Sequence, residues 1–280
     1  MRIQLLAKTI GALIVAVGCV SAAQQQPGGS PIQATTPEQA AQIRAILAAA
    51  YLPQGGAPDS LAILPAPPTF GSPGQARDDA AAAAAQSLRG TPRWSLATRD
   101  ADLSLPNAAR AFSCALGVEI SEAGTPRAYN LLRRSMADVG LSTYPTKTRY
   151  QRTRPFVVTS TPTCTPAEED FLRHDGSYPS GHSAIGWGWA LVLTQVAPER
   201  QNEILARGRA FGQSRVVCNV HWLSDTEEGR VMASATVARL QSAPEFRADV
   251  EAARTEIAAA RTAKPAPAND CASEAAALAG

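Results

Sequence analysis

Of the three histidines in this 280-residue chain, two keep unusual company. His221 is followed four residues later by Asp225, in 214-SRVVCNVHWLSD-225. One helical turn brings such a pair within hydrogen-bonding reach. A carboxylate on one ring nitrogen fixes the tautomer and leaves the other nitrogen as a nucleophile. His182 lies in 176-GSYPSGHSA-184, where a Pro/Gly turn feeds an apolar run. Ser180 is a natural N-cap there, so the N–H groups of Gly181, His182 and Ser183 are expected to point outward as an anion site. Lys147, Arg154 and Arg215 add cations, in 147-KTRYQRTRP-155 and in Ser214-Arg215. Arginine offers a planar fork that matches phosphate oxygens, and lysine a point charge. Gathered at one spot, these groups would hold a tetrahedral anion. They would also stabilise a transferring phosphoryl group without a metal.

Each residue also has a plainer reading. A lone histidine near a helix start is commonly a surface or capping residue. His221 and Asp225 could be a surface pair or two metal ligands. A metal site is poorly supported, because His174 is the one remaining histidine and Asp175 beside it reads as loop. Lys147, Arg149, Arg152 and Arg154 could form a solvated basic face. Trp187, Trp189 and Trp222 read as core. What these readings leave unexplained is the joint pattern.

The elements that must position these residues read as helices. Hydrophobic residues make up 45% of the chain but aromatics only 5%, with alanine runs such as 79-DAAAAAAQ-86. Alanine is the best helix former and long β-branched stretches are scarce, which points to an all-α protein. Helices are expected over 36–51, capped by Thr36 with Pro37 and Gln39, over 77–89 and over about 106–116. Another is expected over 125–140, with Thr125 capping and Gly140 stopping it, and its face carries Tyr129, Leu132, Met136 and Val139. Thr165-Pro166 opens a further one. The segment from Ser183 to Val196 is apolar all round, as expected of a central helix buried on every side. It is too short to span a membrane. The last helices are expected at about 199–216, 225–241 and 244–262. Residues 52–75 are Pro/Gly-rich and read as a surface connection, and the tail over 263–280 reads as loose.

Composition narrows the function classes. Twenty-six basic and 24 acidic residues give a net charge of +2, which argues against a nucleic-acid partner. Arg2 and Lys8, the apolar stretch Thr9–Val20 and the small residues after it read as a secretory signal peptide over residues 1–23, cut near Ala22 or Ala23. The mature chain then carries no membrane span. Gly18-Cys19 resembles the end of a lipobox. Ala16 is a poor residue three before that cysteine, so ordinary cleavage is preferred over lipidation at Cys19. Four cysteines remain after cleavage, Cys114, Cys164, Cys218 and Cys271. An even count in an exported protein suggests two disulfides, with three pairings open.

The joint pattern resembles a known family. Lys147, six residues, then Arg154-Pro155; Pro179-Ser180-Gly181-His182; and Ser214-Arg215, five residues, His221, three residues, Asp225 together match the three-part signature of the PAP2 superfamily. That superfamily holds bacterial acid phosphatases, lipid phosphatases and vanadium haloperoxidases. GSYPSGHSAIGW, 204-ILARGRAFGQSRVVCNVHW-222 and the LPAPP at 64–68 are similar to the secreted class A acid phosphatases in particular. The similarity runs from about residue 60 to about residue 262, after an amino-terminal lead over 24–59. The resemblance implies an all-α single domain that acts on small phosphomonoesters without a cofactor or metal. It also implies a periplasmic, commonly homo-oligomeric protein in which Cys164 pairs with Cys218, which would leave Cys114 for Cys271.

On that resemblance, Lys147, Arg154, Arg215, the Ser180 hydroxyl and the N–H groups at Gly181 are expected to bind phosphate. His221 is expected to attack phosphorus, Asp225 to orient His221, and His182 to protonate the leaving oxygen. The two histidine pKa values are then expected to be pushed apart, with activity favouring mildly acidic pH. A vanadium haloperoxidase would use the same pocket. A lipid phosphatase would be expected to carry several membrane-spanning helices. A non-catalytic phosphate-binding protein would need the cations but not the His221–Asp225 pair.

Overall fold

A computed structural model describes residues 48–263, 267 and 269–279. The expected signal peptide, Cys19 and most of the helix expected over 36–51 lie outside the described residues. Fourteen helices follow from residue 60 onward. They are α1 (Ser60–Ile63), α2 (Pro73–Gln86), α3 (Pro92–Ala101), α4 (Asn107–Arg110), α5 (Ser113–Leu116), α6 (Pro126–Leu141) and α7 (Tyr144–Tyr150). Then come α8 (Pro155–Thr159), α9 (Glu169–His174), α10 (Gly181–Val196), α11 (Gln201–Val217), α12 (Leu223–Leu240), α13 (Pro244–Ala263) and α14 (Cys271–Ala279). No strand occurs among the described residues, so the all-α expectation holds.

α10 is the axis of the core. Ala184, Trp189, Ala190, Val192 and Leu193 on it are fully buried. Trp189 meets Phe112 and Phe211 at ring-centroid distances of 6.2 and 6.5 Å, and its indole N–H donates to the Leu132 carbonyl at 2.9 Å. A buried indole needs such a partner, so the one polar atom of this side chain is satisfied. α10 is not buried on every side as expected. Trp187, Leu191, Thr194 and Gln195 form an edge that reaches the surface.

Several boundaries differ from the sequence expectation. Gly140 does not stop α6, which continues to Leu141; Ile185 of α10 packs over it instead. Thr125 and Thr165 make no capping bond. The Thr125 hydroxyl accepts from the Ser121 N–H in the preceding loop instead. After Thr165 comes a single 3-10 turn, Pro166–Glu168, ahead of α9. The helix expected over 106–116 is broken into α4 and α5. The Thr91-Pro92 opening of α3 went unread, although the Thr91 hydroxyl accepts from the Trp94 N–H. Within the connection over 52–75, Asp59 caps α1, and α2 starts at Pro73 behind Ser72.

The largest correction is at the carboxyl end. The tail expected to be loose is helical over Cys271–Ala279. Cys271 is disulfide-bonded to Cys114 across 157 residues, and Glu274 lies 3.3 Å from the buried Arg207. Composition could not show this, because one covalent tie and one ion pair hold the helix down. Cys164 and Cys218 form the second disulfide. It lies in a small cluster with Ala97, Phe156, Leu172, Val217 and Val220.

Candidate active site

α10 and α11 are joined by a short connection, so the end of α11 returns to the start of α10. α12 then begins against the same point. A Cβ on Gly229 of α12 would stand 2.5 Å from the Ser180 carbonyl, so only glycine lets the two helices approach this closely. The Ser180 N–H donates to the Asp225 carbonyl at 2.9 Å. Three helix ends therefore converge, carrying His182, Arg215 and Asp225.

Ser180 is the N-cap of α10, as expected. Its hydroxyl accepts from the Ser183 N–H at 3.2 Å and from the Ser183 hydroxyl at 2.9 Å. The Ser183 N–H is thus used by the cap, contrary to the expectation that it points outward. His182 sits in the first turn with Nε2 3.0 Å from the Ala101 carbonyl, which makes Nε2 the hydrogen-bearing nitrogen.

His221 does not share a helix with Asp225. It lies in the connection after α11, one residue before Trp222, the N-cap of α12. Asp225 is in the first turn of α12. Its Oδ2 accepts from the Trp222 N–H at 2.9 Å and stands 3.3 Å from His221 Nδ1. On the other side of the ring, Arg154 Nη1 lies 3.0 Å from Nε2. A guanidinium only donates, so Nε2 carries a lone pair and Nδ1 carries the hydrogen facing Asp225.

Arg154 is the N-cap of α8 and is almost fully buried. Besides His221, it donates to the carbonyls of Leu172, Asp175 and Val220 at 2.9 Å each, and to Asp175 Oδ2 at 2.9 Å. Lys147, on the last turn of α7, reaches the Gly176 carbonyl at 2.5 Å and Asp175 Oδ2 at 3.4 Å. Gly176 permits this, since a Cβ there would come within 2.9 Å of the Gln151 backbone.

Arg215, near the end of α11, is different. It is completely buried, and Nε, Nη1 and Nη2 all lack a hydrogen-bond partner among the described residues. A buried guanidinium with three idle donors is costly unless an anion meets it.

The field at the site is strongly positive. Burial pushes both histidines well below the ordinary imidazole range. Arg215 adds to this at His182, as do Arg154 and Lys147 at His221. Desolvation and the cations thus shift both rings in the same direction. Burial also lowers Lys147 to about 8 and Arg215 to about 10. It raises Asp225, against the pull of Arg152. Gly181 and His182 keep partial exposure, whereas Lys147, Arg154, Ser180, Arg215, His221 and Asp225 are buried. Solvent thus reaches the cluster from the His182 side.

All eight residues expected to bind or react fall in this one region. His174 does not; it is exposed at the end of α9. Among the described residues, no three His, Cys, Asp or Glu side chains gather as a metal site. The chain matches the PAP2 superfamily over residues 129–247, a span that contains every signature position. It is 43% identical over 213 residues to an acid phosphatase of Zymomonas mobilis, covering 75% of this chain and 79% of that one. It is 45% identical over 209 residues to a non-specific acid phosphatase of Providencia stuartii, covering 74% and 84%. A non-specific acid phosphatase of Salmonella typhimurium is 43% identical over 195 residues, covering 69% and 78%.

The chain belongs to the PAP2 superfamily.

The PAP2 signature does not cover the whole site. Asp175, which ties Lys147 to Arg154, read as plain loop. Arg152 read as part of a basic face, yet its side chain is largely covered and donates to Asp225 Oδ1 at 2.7 Å. The one available signal was spacing: Arg152 stands two residues before Arg154 in a non-helical stretch, where alternate residues share a side. Asp78, on the alanine-rich α2, gave no signal.

Proposed function

We propose that this chain is an exported acid phosphatase that hydrolyses phosphate monoesters through a phosphohistidine on His221. Its relatives are named acid phosphatases, and the site chemistry agrees. The observation that carries the reading is Arg215, a fully buried guanidinium whose three nitrogens have no hydrogen-bond partner among the described residues. It stands with Lys147, Arg154 and the start of α10 around His221. A phosphoryl group supplies the oxygens that such donors require.

In the first step, phosphate oxygens engage Arg215 and Lys147 and draw the Arg154 Nη1 hydrogen away from His221 Nε2. The freed lone pair attacks phosphorus in line. The N–P bond forms as the P–O bond to the leaving group breaks. Nδ1–H stays on the ring, and Asp225 balances the positive charge that develops there. The ester oxygen leaves toward the partly exposed His182, which gives it a proton. A bound phosphate dianion opposes both the burial and the cations that depress His182, and so favours the protonated ring that this step needs. In the second step His182 takes a proton from water, the water oxygen bonds to phosphorus and the N–P bond breaks. An alcohol in place of water would give phosphotransfer by the same route.

Export is supported by the leader pattern of residues 1–23 and by the two disulfides. No helix among the described residues is long and apolar enough to cross a membrane. The test is hydrolysis of para-nitrophenyl phosphate from pH 4 to 8 with excess chelator, with trapping of labelled enzyme in alkaline detergent. Chelator-resistant turnover and a base-stable, acid-labile phosphoenzyme are expected in the wild type, and neither in His221→Ala. A His221→Ala protein that still forms the phosphoenzyme would sink the assignment.

A further inference from the structure

Behind Asp225 lies a second buried charge system that the signature does not include. Arg152 Nη1 donates to Asp225 Oδ1 at 2.7 Å and to the Ser224 hydroxyl at 2.8 Å. Its Nη2 donates to Asp78 Oδ2 at 2.8 Å and to Gln75 Oε1 at 2.7 Å. Asp78 in turn accepts from the Ser224 N–H at 2.8 Å and from the Ser224 hydroxyl at 2.6 Å. Asp78 and Asp225 are almost completely buried, and the Arg152 side chain is 8% exposed. The order from α2 inward is carboxylate, guanidinium, carboxylate, imidazole.

We infer that Arg152, held by Asp78, is a positioning residue for the phosphoryl-transfer reaction: it fixes the Asp225 carboxylate so that His221 is presented as the Nδ1–H tautomer with Nε2 free to attack. This inference rests on the function proposed above.

Two physical arguments support it. The first is geometric. Asp225 has two oxygens with different partners. Oδ2 takes the Trp222 N–H and faces His221, while Oδ1 accepts from Arg152 at 2.7 Å. Without Arg152, Oδ1 loses the donor that sets the rotation about the Cβ–Cγ bond, and the contacts of Oδ2 alone are left to hold it. The second is electrostatic. Asp225 is deep in the protein, and burial by itself favours its neutral acid. A neutral acid cannot balance the charge that appears on His221 when the N–P bond forms. The Arg152 charge opposes that protonation. Asp78 then offsets the charge of Arg152, so the three groups together present one negative charge to the back of the ring.

The arrangement also explains why a basic residue two before Arg154 faces inward rather than to solvent. Its guanidinium lies 5.4 Å from the Trp222 ring centroid, and the Trp222 indole N–H donates to the Thr153 carbonyl at 2.8 Å. The other side of Arg152 forms part of a groove of about 670 Å³, with Gln75, Asp79 and Trp222. Small solutes can therefore reach the position that the side chain occupies.

That access makes the decisive experiment possible. Wild type, His221→Ala, Arg152→Ala, Arg152→Lys and Asp78→Asn are compared for kcat and KM on para-nitrophenyl phosphate. Melting temperature is read with and without inorganic phosphate. Arg152→Ala is expected to lose about 100-fold in kcat with KM within about threefold, and to keep its phosphate-induced rise in melting temperature. Added guanidinium ion at millimolar concentration is expected to restore at least tenfold of that kcat and to leave wild type unchanged. Arg152→Lys should recover part of the rate, and Asp78→Asn should lose about tenfold in kcat alone. A merely structural tie between α2 and α12 would lower melting temperature without the kcat-only loss or the rescue. A folded Arg152→Ala with kcat within twofold of wild type overturns the inference, as does a KM that rises in step with the fall in rate. Should Arg152→Ala not fold, an unchanged kcat in Asp78→Asn overturns it as well. Failure of the phosphatase reading itself looks different: wild type does not turn over, or His221→Ala keeps the wild-type rate. In that case the downfield Nδ1–H proton resonance of His221 decides. Its shift or loss in Asp78→Asn and Arg152→Ala supports the positioning contact, and an unmoved resonance overturns it.

Discussion

Arg154 Nη1 stands 3.0 Å from His221 Nε2, and this contact sets the state of the ring. An imidazolium there would turn N–H against N–H, so His221 is neutral with its hydrogen on the Asp225 side. Asp225→Asn should undo this, because an amide can offer Nδ1 a second N–H instead of an acceptor. A fall of about 10²–10⁴-fold in kcat, with KM within a few-fold, is expected from steady-state assays on the purified variant. A variant that keeps more than a tenth of the wild-type kcat would show that the tautomer does not matter.

The idle guanidinium of Arg215 predicts a conflict between stability and activity. It is fully buried with no hydrogen-bond partner among the described residues, so only the charges of Glu168 and Asp100 offset its desolvation. Arg215→Met should therefore stabilise the protein in phosphate-free buffer, by about 1–4 kcal/mol. It should also abolish turnover. In wild type, phosphate at a hundred times its dissociation constant should add about 2.7 kcal/mol, and Arg215→Met should lose that gain. Chemical denaturation with and without phosphate reads both effects. A destabilised Arg215→Met would mean that Arg215 is held by contacts the buried pocket does not show.

How legible the site was depends on which residues are considered. Lys147, Arg154, Ser180, His182, Arg215, His221 and Asp225 could be read because their types recur at fixed spacing, and chemistry ties type to spacing. Asp175, Arg152 and Asp78 could not. Each acts through a contact between segments far apart in the chain, such as the 74 residues between Asp78 and Arg152. Local pattern does not name the partner in such a pairing; at most, the two-residue spacing sets Arg152 on the side of Arg154. The same limit explains α14. An alanine-rich tail reads as loose until the Cys114–Cys271 bond fixes where it lies. Helix ends were misread where packing overrode a local stop, as at Gly140 under Ile185.

Lys147 predicts the alkaline side of the pH profile. Burial lowers it to about 8, although Asp175 opposes the shift. Below that pH the side chain is charged and binds the anion; above it the side chain is neutral. Inorganic phosphate is already a dianion there, so the change belongs to the protein. Its competitive inhibition constant should rise by about tenfold per pH unit above pH 8. Lys147→Arg stays charged throughout this range and should lack the step. An identical pH dependence in the two proteins would assign the step to another group.

The two disulfides should be separable by what their loss does. Cys218 is three residues before His221, and the connection between them is tied on both sides. The Cys164 N–H donates to the Cys218 carbonyl at 3.3 Å, and the Asn219 side-chain N–H donates to the Thr161 carbonyl at 3.0 Å. Breaking Cys164–Cys218 loosens the strip of chain that carries His221. Cys114–Cys271 instead anchors α14, whose Glu274 lies 3.3 Å from Arg207. Asp100 holds Arg207 through both its oxygens, at 2.5 and 3.1 Å, without help from α14. Paired Cys→Ser variants should each cost about 2–4 kcal/mol in denaturant unfolding. The Cys114/Cys271 variant should keep kcat within about threefold, and the Cys164/Cys218 variant should lose tenfold or more. Equal kcat losses in the two variants would mean that the disulfide beside His221 has no special part in holding the nucleophile.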